Sequence, residues 1–517
     1  NKDKIQGNIN LGMGGAGGLI EGPLGRRMTY IASYRRSYLD LIADAINASG
    51  GMPTYDDFQA KLEFKPNIFN TISILMVNGN SLYDRDIDGA VDVGASEYGE
   101  LKNGQTTIGI NYKHIWNKKA YSNMSISYSI KKGTTHFSNI KSGNTVFKNI
   151  ENFDMKSVRQ INHFKINSYS NLEFGLDFEV SKTDYNYFRK LTKSNIFINE
   201  IKFDKEVLIN NYSIFLTYKQ NLFSRLILSS GIRIDNNDYE NKGLYSPRIN
   251  IDYELIKGKT NLIYNIGKYH QNPPSIYIAN DISEELKSIS CYQHSFSIEH
   301  MLTLSTLLSI SAYQKKYERS PMLPDANFHQ DPTFLFDELR MYNGIVSDGK
   351  AYSEGLEILI QKKRAENFYG LFGGSIYNST FTDYNNIQRN RNHNYRYVLN
   401  IVGGYRPDKD WELSIRWSYF GGKPYTLIDL ESSIQADEEV LYLDKFNENS
   451  TPDYHSLFVR YEKRYNFKKS NLIMFFEIWN TYNRENIEYY FYSRVNKSIE
   501  KTVYFSIIPV GGFGVEF

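Results

Sequence analysis

The feature that most constrains this chain is a strict alternation of apolar and polar residues. Leu172, Phe174, Leu176, Phe178 and Val180 interleave with Glu173, Gly175, Asp177, Glu179 and Ser181. Trp411, Leu413, Ile415, Trp417 and Tyr419 do the same against Glu412, Ser414, Arg416 and Ser418, as do Ile249, Ile251, Tyr253 and Leu255 against Asn250, Asp252 and Glu254. A period of two places one set on each face of a β-strand. A soluble sandwich shows the same pattern, so strand length must separate the two readings. The runs here extend to about ten residues or more, the length a tilted strand needs to cross a bilayer, and about twice the mean soluble strand.

Composition excludes several alternatives. No apolar run approaches the ~18 residues of a transmembrane helix, and the mean hydropathy is −0.49. That value is compatible with a membrane β-barrel, whose strands average to a hydrophilic sequence. Lys+Arg is 60 and Asp+Glu 58, a net charge of +2, so no basic surplus points to a nucleic-acid partner. Aromatic content is 15%, with 42 Tyr and 31 Phe. Tyr suits a membrane–water boundary, where its ring is apolar and its hydroxyl wet. The lone Cys291 rules out a disulfide scaffold, leaving a closed hydrogen-bonded sheet as the source of stability.

The connections alternate in length. Tight links are expected at 23–27, 66–67, 117–119, 170–171, 223–224, 257–259, 302–305, 364–366, 408–410 and 467–470. Longer polar stretches lie between them at 41–53, 80–103, 133–153, 185–203, 270–287, 320–349 and 422–451, with shorter ones at 236–243 and 383–392. Short turns on one rim and long loops on the other describe an outer-membrane barrel with its short side periplasmic. The fold class is therefore all-β: an antiparallel up-and-down transmembrane barrel of about 22 strands, with residues 1–517 as one domain. No four-strand repeat of the propeller type is present.

Several segments, in order, resemble TonB-dependent outer-membrane receptors. Glu21-Gly-Pro-Leu-Gly25 and Tyr34-Arg-Arg-Ser-Tyr-Leu-Asp40 look like the family's first barrel hairpins, and Tyr269-His-Gln-Asn-Pro-Pro274 like a mid-barrel strand entering an outer loop. Ser297-Ile-Glu-His300 and Gly355-Leu-Glu357 resemble later strands. Gly421-Gly-Lys-Pro-Tyr-Thr426 and Asn480-Thr-Tyr-Asn-Arg-Glu-Asn486 are similar to the Gly-Arg/Lys-Pro-Tyr and late Asn-Arg-x-Asn motifs. Pro509-Val-Gly-Gly-Phe-Gly-Val-Glu-Phe517 resembles the terminal signal, with its aromatic Phe517, read by the barrel-assembly machinery. The resemblance implies import of a scarce nutrient (siderophore, vitamin, glycan or peptide) powered by the inner-membrane TonB complex. It also implies a plug domain, a lipid surround and, for some cargoes, a surface lipoprotein. Because Ile5-Gln-Gly-Asn-Ile-Asn-Leu11 already reads as strand, the plug is expected to be absent from this sequence. The alternatives are a plugless diffusion porin or export pore, and an adhesin or barrel hydrolase.

Individual chemistry-bearing motifs are weak. Gly12-Met-Gly-Gly-Ala-Gly17 satisfies G-x-G-x-x-G, yet it runs into another strand and not a helix, so it reads as a flexible turn and not a phosphate cradle. Arg35 and Arg36 should point to opposite faces, Arg35 to the lumen, where it could clamp a plug or ligand carboxylate. The nine histidines form no H-E-x-x-H, and C-x-x-C and G-x-S-x-G are also missing, so neither a metal, a cofactor nor catalytic residues are expected. His294 and His300 lie ~20 Å apart on one strand, too far to share a metal. Recognition is expected in the lumen and outer loops, with Arg35, Tyr38, Asp40, His270, Gln271, Tyr277, Phe328, His329, Tyr384, Arg391 and Tyr425 as ligand- or plug-facing candidates.

Overall fold

The computed structural model describes residues 4–38, 53–92, 95, 97–190, 200–240, 242–279, 286–322, 345–437 and 439–517. Twenty-two antiparallel strands close into a barrel, and one further short strand, Gln388–Asn390, pairs onto the upper part of Phe368–Thr382. Each strand pairs with its sequence neighbour in the wall. Closure joins the first strand, Gln6–Gly12, to the last, Ile508–Glu516, from Asn8 opposite Glu516 to Gly12 opposite Gly512. At the periplasmic end of that seam Gly7 and Phe517 exchange both backbone hydrogen bonds at 3.0 Å. A Cβ on Gly7 would meet the Phe517 ring at 2.7 Å, so the missing side chain gives the aromatic its seat.

The alternation turns the usual soluble arrangement inside out. Ile74, Ile110 and Ile126 form one row across three neighbouring strands, each 40–47% exposed on the outer surface. Ser127, next to Ile126, faces inward and shares a hydrogen bond with Ser157 of the adjoining strand at 2.7 Å. Such an outer face is stable only in contact with hydrocarbon, and there a closed sheet is the one β-structure that leaves no strand edge unpaired.

Two aromatic girdles bound this band. Near the short turns, Phe368 packs on Tyr405 (ring centroids 4.6 Å), Tyr405 on Trp411 (5.7 Å) and Trp411 on Tyr461 (6.1 Å). Near the long loops, Tyr397 stacks on Tyr419 (5.8 Å) and Tyr419 on His455 (5.7 Å). Both tyrosine hydroxyls donate to one Asp453 carboxylate oxygen, at 2.8 and 2.7 Å. Trp411 and Tyr419 are eight positions apart on one strand, roughly 20 Å along the barrel axis after tilt, close to the ~25 Å apolar band of such barrels.

Nine of the ten expected tight links fall at turns between barrel strands, while 170–171 opens the strand Ser170–Lys190, the turn lying just before it at 166–169. The expected long loops need correction. Strands Asn70–Arg85 and Glu97–Asn117 extend through most of 80–103, and Ala120–Asn139 with Thr145–Lys165 cover all but five residues of 133–153. Ser170–Lys190 and Glu200–Leu222 likewise extend into 185–203. Above the bilayer both faces of a strand meet water, so the period-two signal vanishes while the pairing continues. A small core stiffens this upper region: Tyr185, Tyr187, Ile201, Val207 and Ile209 pack with Ile276, Tyr277, Leu286 and Ile345.

This inversion predicts opposite costs for the two faces. Ile126→Arg, near mid-bilayer, should lower unfolding free energy in lipid vesicles by about 2–4 kcal/mol. Ser127→Arg, one residue on and facing the lumen, should cost less than half as much in the same denaturant titration.

Candidate functional site

The polar set of the strand Ser170–Lys190 meets the polar sets of its neighbours on the lumen wall. Register places Arg159 opposite Asp177, Asp177 opposite Ser213, and Ser213 opposite Asp235. Asp177 therefore receives two guanidinium groups: Arg159 Nη2 at 2.9 Å and Arg233 Nη1 at 2.7 Å. Arg233 also donates from Nε to Asp235 (2.6 Å) and from Nη2 to Ser213 (2.7 Å). Four charges are thus compensated within the wall. Arg233 and Asp177 are largely covered, with side chains 26% and 13% exposed, while Arg159 keeps 56% of its side chain open to the lumen. Below this cluster His163 contacts Glu173 at 2.9 Å and stacks on Tyr121.

Above the charge cluster, the run Tyr269–Pro274 closes a recess of about 570 Å³ lined by Asn211, Asn237, His270, Gln271 and Asn272 together with the ionic residues. Asn272 links the wall, donating to Asn211 Oδ1 at 2.9 Å and accepting from Asn237 at 3.0 Å. Pro273 and Pro274 then leave the strand, and the helix Ser275–Ala279 follows. His270 is held by Ser246 (Nδ1 to Oγ 3.0 Å), and Gln271 is exposed in the recess. Tyr277 has no exposed surface and packs in the loop core. In this conformation it is a packing residue, not a surface open to solute.

The other candidates separate in the same way. Arg35 does face the lumen, but its Nε is already taken by Asp57 on the adjacent strand at 2.8 Å, with 61% of its side chain exposed. Arg36 lies opposite Asp56 on the outer face. Tyr38 donates its hydroxyl to the Gly12 carbonyl and so ties the strand end to the first turn. Asp40, Phe328 and His329 lie outside the described residues.

In the segment 383–391 only the tip 384–388 is exposed, Tyr384 included. Arg389 and Asp383 form a buried pair at 2.9 Å, side chains 3% and 0% exposed, and Arg389 also reaches the Asp444 carbonyl at 2.7 Å. Asn390 and Asn447 exchange side-chain to carbonyl bonds at 3.0 Å each. Arg391 is buried over the Tyr317 ring. Two outer segments are thereby joined into one unit, leaving the tip as the part open to a ligand.

The motif residues have local physical reasons. A Cβ on Gly421 or Gly422 would overlap the carbonyl oxygen of Tyr395 or Thr451, so backbones can approach there only at glycine. Tyr425, next to Pro424 in a two-residue pairing with Asn449–Ser450, packs its ring on Tyr490 at 5.1 Å. Asn480 accepts from Arg484 N (3.1 Å) and donates to the Arg484 carbonyl (2.9 Å), while Asn486 exchanges both kinds of bond with the His455 backbone.

The charge cluster was not singled out from sequence. Asp177 was legible as a polar-face residue, but its partners sit on strands 18 and 56 residues away. Among the described residues no group of three or more His, Cys, Asp or Glu side chains is placed to hold a metal.

Two stability outcomes follow. A double-mutant cycle on Arg233 and Asp177 should give a coupling near the ~1 kcal/mol ceiling of exposed pairs or above it, whereas the Arg35–Asp57 cycle should fall below it. Asp383→Ala leaves the Arg389 charge buried without its main partner. It should cost about 3 kcal/mol, read as faster proteolysis of the 383–391 loop and a lowered denaturation midpoint.

A family model described as TonB dependent receptor-like, beta-barrel matches residues 33–478. Among solved structures, the ferripyoverdine receptor of the Pseudomonas aeruginosa outer membrane superposes with a TM-score of 0.72 at 12% identity, covering 99% of this chain and 72% of that one. The ferric-catecholate import receptor Fiu from E. coli K12 gives 0.70 at 10% identity, covering 99% and 81%. The ferric preacinetobactin receptor BauA of Acinetobacter baumannii gives 0.70 at 11%, covering 99% and 79%. No curated protein sequence matches the chain.

Proposed function

Since this chain belongs to the TonB-dependent receptor β-barrel family of the outer membrane, we propose that it forms the wall of an energised importer for a scarce nutrient. The observation that carries this reading is a closed barrel of 22 strands whose lumen wall is polar and internally ion-paired. A barrel so wide is not filled by its own side chains, so an ungated lumen would be an aqueous channel. A plug seated against the lumen wall converts that channel into a gate, and pulling on the plug through the TonB complex opens it. Arg159 and Arg35, whose guanidinium groups keep open surface beside their wall partners, offer charge-assisted hydrogen bonds to plug carboxylates.

Capture of the nutrient falls to the outer mouth. Gln271 and Tyr384 offer an amide and an aromatic face to it, with Tyr425 and His270 as further candidate contacts. Asp40, Phe328 and His329, expected from the sequence to face ligand or plug, remain candidates by that reading alone. The solved structures compared above are receptors for ferripyoverdine, ferric catecholates and ferric preacinetobactin, so ferric chelates are the first cargo class to assay. The barrel-assembly machinery would recognise the strand carrying Phe517, and a surface lipoprotein would be needed only for oligomeric cargo.

The test is uptake of a panel of iron-55 chelates, with cobalamin and oligosaccharides alongside, by cells carrying the full-length protein. Accumulation of one solute should saturate at low concentration and stop when the proton-motive force is collapsed. Uptake that continues after collapse, rising linearly with concentration, would identify a diffusion pore instead.

A further inference from the structure

The lipid-facing wall holds a feature that transport does not use. Strands Leu244–Ile256 and Thr260–Gln271 pair from Ile256 opposite Thr260 up to Arg248 opposite Gly267, and there the ladder stops although both strands continue. Pro247 follows at the point of parting, and proline has no N–H to give to a ladder. A groove of about 500 Å³ opens along the outer wall at this split. Its lower row runs Ile249, Ile266, His294 and Gln314, the last two hydrogen-bonded to each other at 2.9 Å, and its upper rim carries Pro247, Lys268, Tyr292 and Lys316.

The rim residues form one row across three strands, Lys268 opposite Tyr292 and Tyr292 opposite Lys316. The Lys268 ammonium lies over the Tyr292 ring, 4.9 Å from its centroid. Among the described residues no carboxylate lies within ion-pair distance of either lysine. The nearest acids in register are otherwise placed: Glu354 accepts the Tyr352 hydroxyl at 2.6 Å, and Glu318 lies opposite Ser290. A second recess on the outer wall, lined by Arg36, Asp56 and Lys102, lacks this character, because acids lie beside its bases and Lys102 pairs with Glu100 at 2.7 Å.

Height decides what can fill the groove. Lys268 is eight positions above Thr260, at the short-turn end of its strand, which is roughly 20 Å along the axis after tilt. That places both ammonium groups at the outer edge of a ~25 Å apolar band, on the long-loop side. Backbone groups facing the split lie outside the ladder and need a polar environment, which hydrocarbon does not supply. Ile249 and Ile266 below two cations that have no carboxylate at ion-pair distance among the described residues match a lipid with a phosphorylated headgroup.

We propose that this proline-opened groove binds a phosphate-bearing glycolipid of the outer leaflet, its acyl chains along Ile249 and Ile266 and its phosphate between Lys268 and Lys316. The test uses the complete chain in detergent, followed by native mass spectrometry with three probes: diphosphorylated lipid A, its dephosphorylated form and inorganic phosphate. The phosphorylated glycolipid should stay bound, and the dephosphorylated form should be retained about tenfold less. The paired substitution Lys268→Gln with Lys316→Gln should reduce retention to a similar extent, while Lys268→Arg with Lys316→Arg should preserve it. Lys182→Gln, at an outward lysine already paired with Glu206 at 2.8 Å, should change nothing. Equal retention of both glycolipid forms, or full retention by the glutamine variant, would overturn the assignment. So would binding of inorganic phosphate alone, which means an adventitious ion only. Heat-dependent gel mobility reports whether each variant is folded. Should the glutamine pair fail to fold, the arginine pair and the dephosphorylated probe still decide.

Discussion

Everything in this molecule depends on one requirement: in hydrocarbon each backbone N–H and C=O must find its partner inside the protein. An isolated strand cannot meet it and an open sheet fails at two edges. The paired hydrogen bonds between Gly7 and Phe517 are therefore more than a local contact, since they lie where the first and last strands remove both edges together. Once the sheet is closed, the rest follows from geometry. One face must be apolar along the bilayer, the other is left to line a lumen, and side chains at the boundary must tolerate both solvents. The stacked Tyr397, Tyr419 and His455 rings, with Asp453 accepting both hydroxyls, are a local solution to that last demand. Burial raises the Asp453 carboxyl while the two tyrosine hydroxyls hold it below its ordinary range, and the hydroxyls win. A carboxylate so depressed adds its stability in full at neutral pH and loses it only under strong acid.

The wall was legible in the sequence because the bilayer writes a period into it. Leu172–Val180 and Trp411–Tyr419 could be assigned to faces by parity alone, and their structural registers agree. The same reasoning placed Arg35 in the lumen and Arg36 outside. It failed above the membrane for a physical reason. Much of segments 80–103 and 133–153 is strand whose two faces both meet water, so the apolar alternation that marks a strand lower down has no cause to persist. Pairing there is held by backbone bonds and by cross-strand contacts such as Lys131 with Glu151 at 3.1 Å, none of which leaves a local periodic trace.

The functional residues were legible only as a region. Tyr277 and Arg391 combine an aromatic ring or a charge with an outer-loop position, as a ligand contact would, yet both are buried. Loops that must hold a shape over a wide mouth need cores of their own, and large amphipathic side chains suit that task as well as they suit ligands. Gly421 and Gly422 carried a stronger signal, because a glycine demanded by close backbone approach has no substitute. Arg159, Asp177 and Arg233 come from three strands, and no spacing along one sequence brings them together.

The pairing of those lumen charges bears on how such a wall can discriminate. Where Asp177 is matched by Arg159 and Arg233, and Arg233 by Asp235, the field of each ion is largely cancelled within a few ångström. Around this cluster the wall presents little long-range potential to a passing solute. Charge selection at this part of the wall is then weak, in contrast to a pore ringed with one sign. Discrimination is left to groups that contact a solute directly: the outer mouth, where Tyr384 and Gln271 are open, and whatever domain occupies the lumen. The contribution of this cluster is a stiff, polar and electrically quiet surface, against which a gate can be held by a few local hydrogen bonds and released without crossing a large electrostatic barrier.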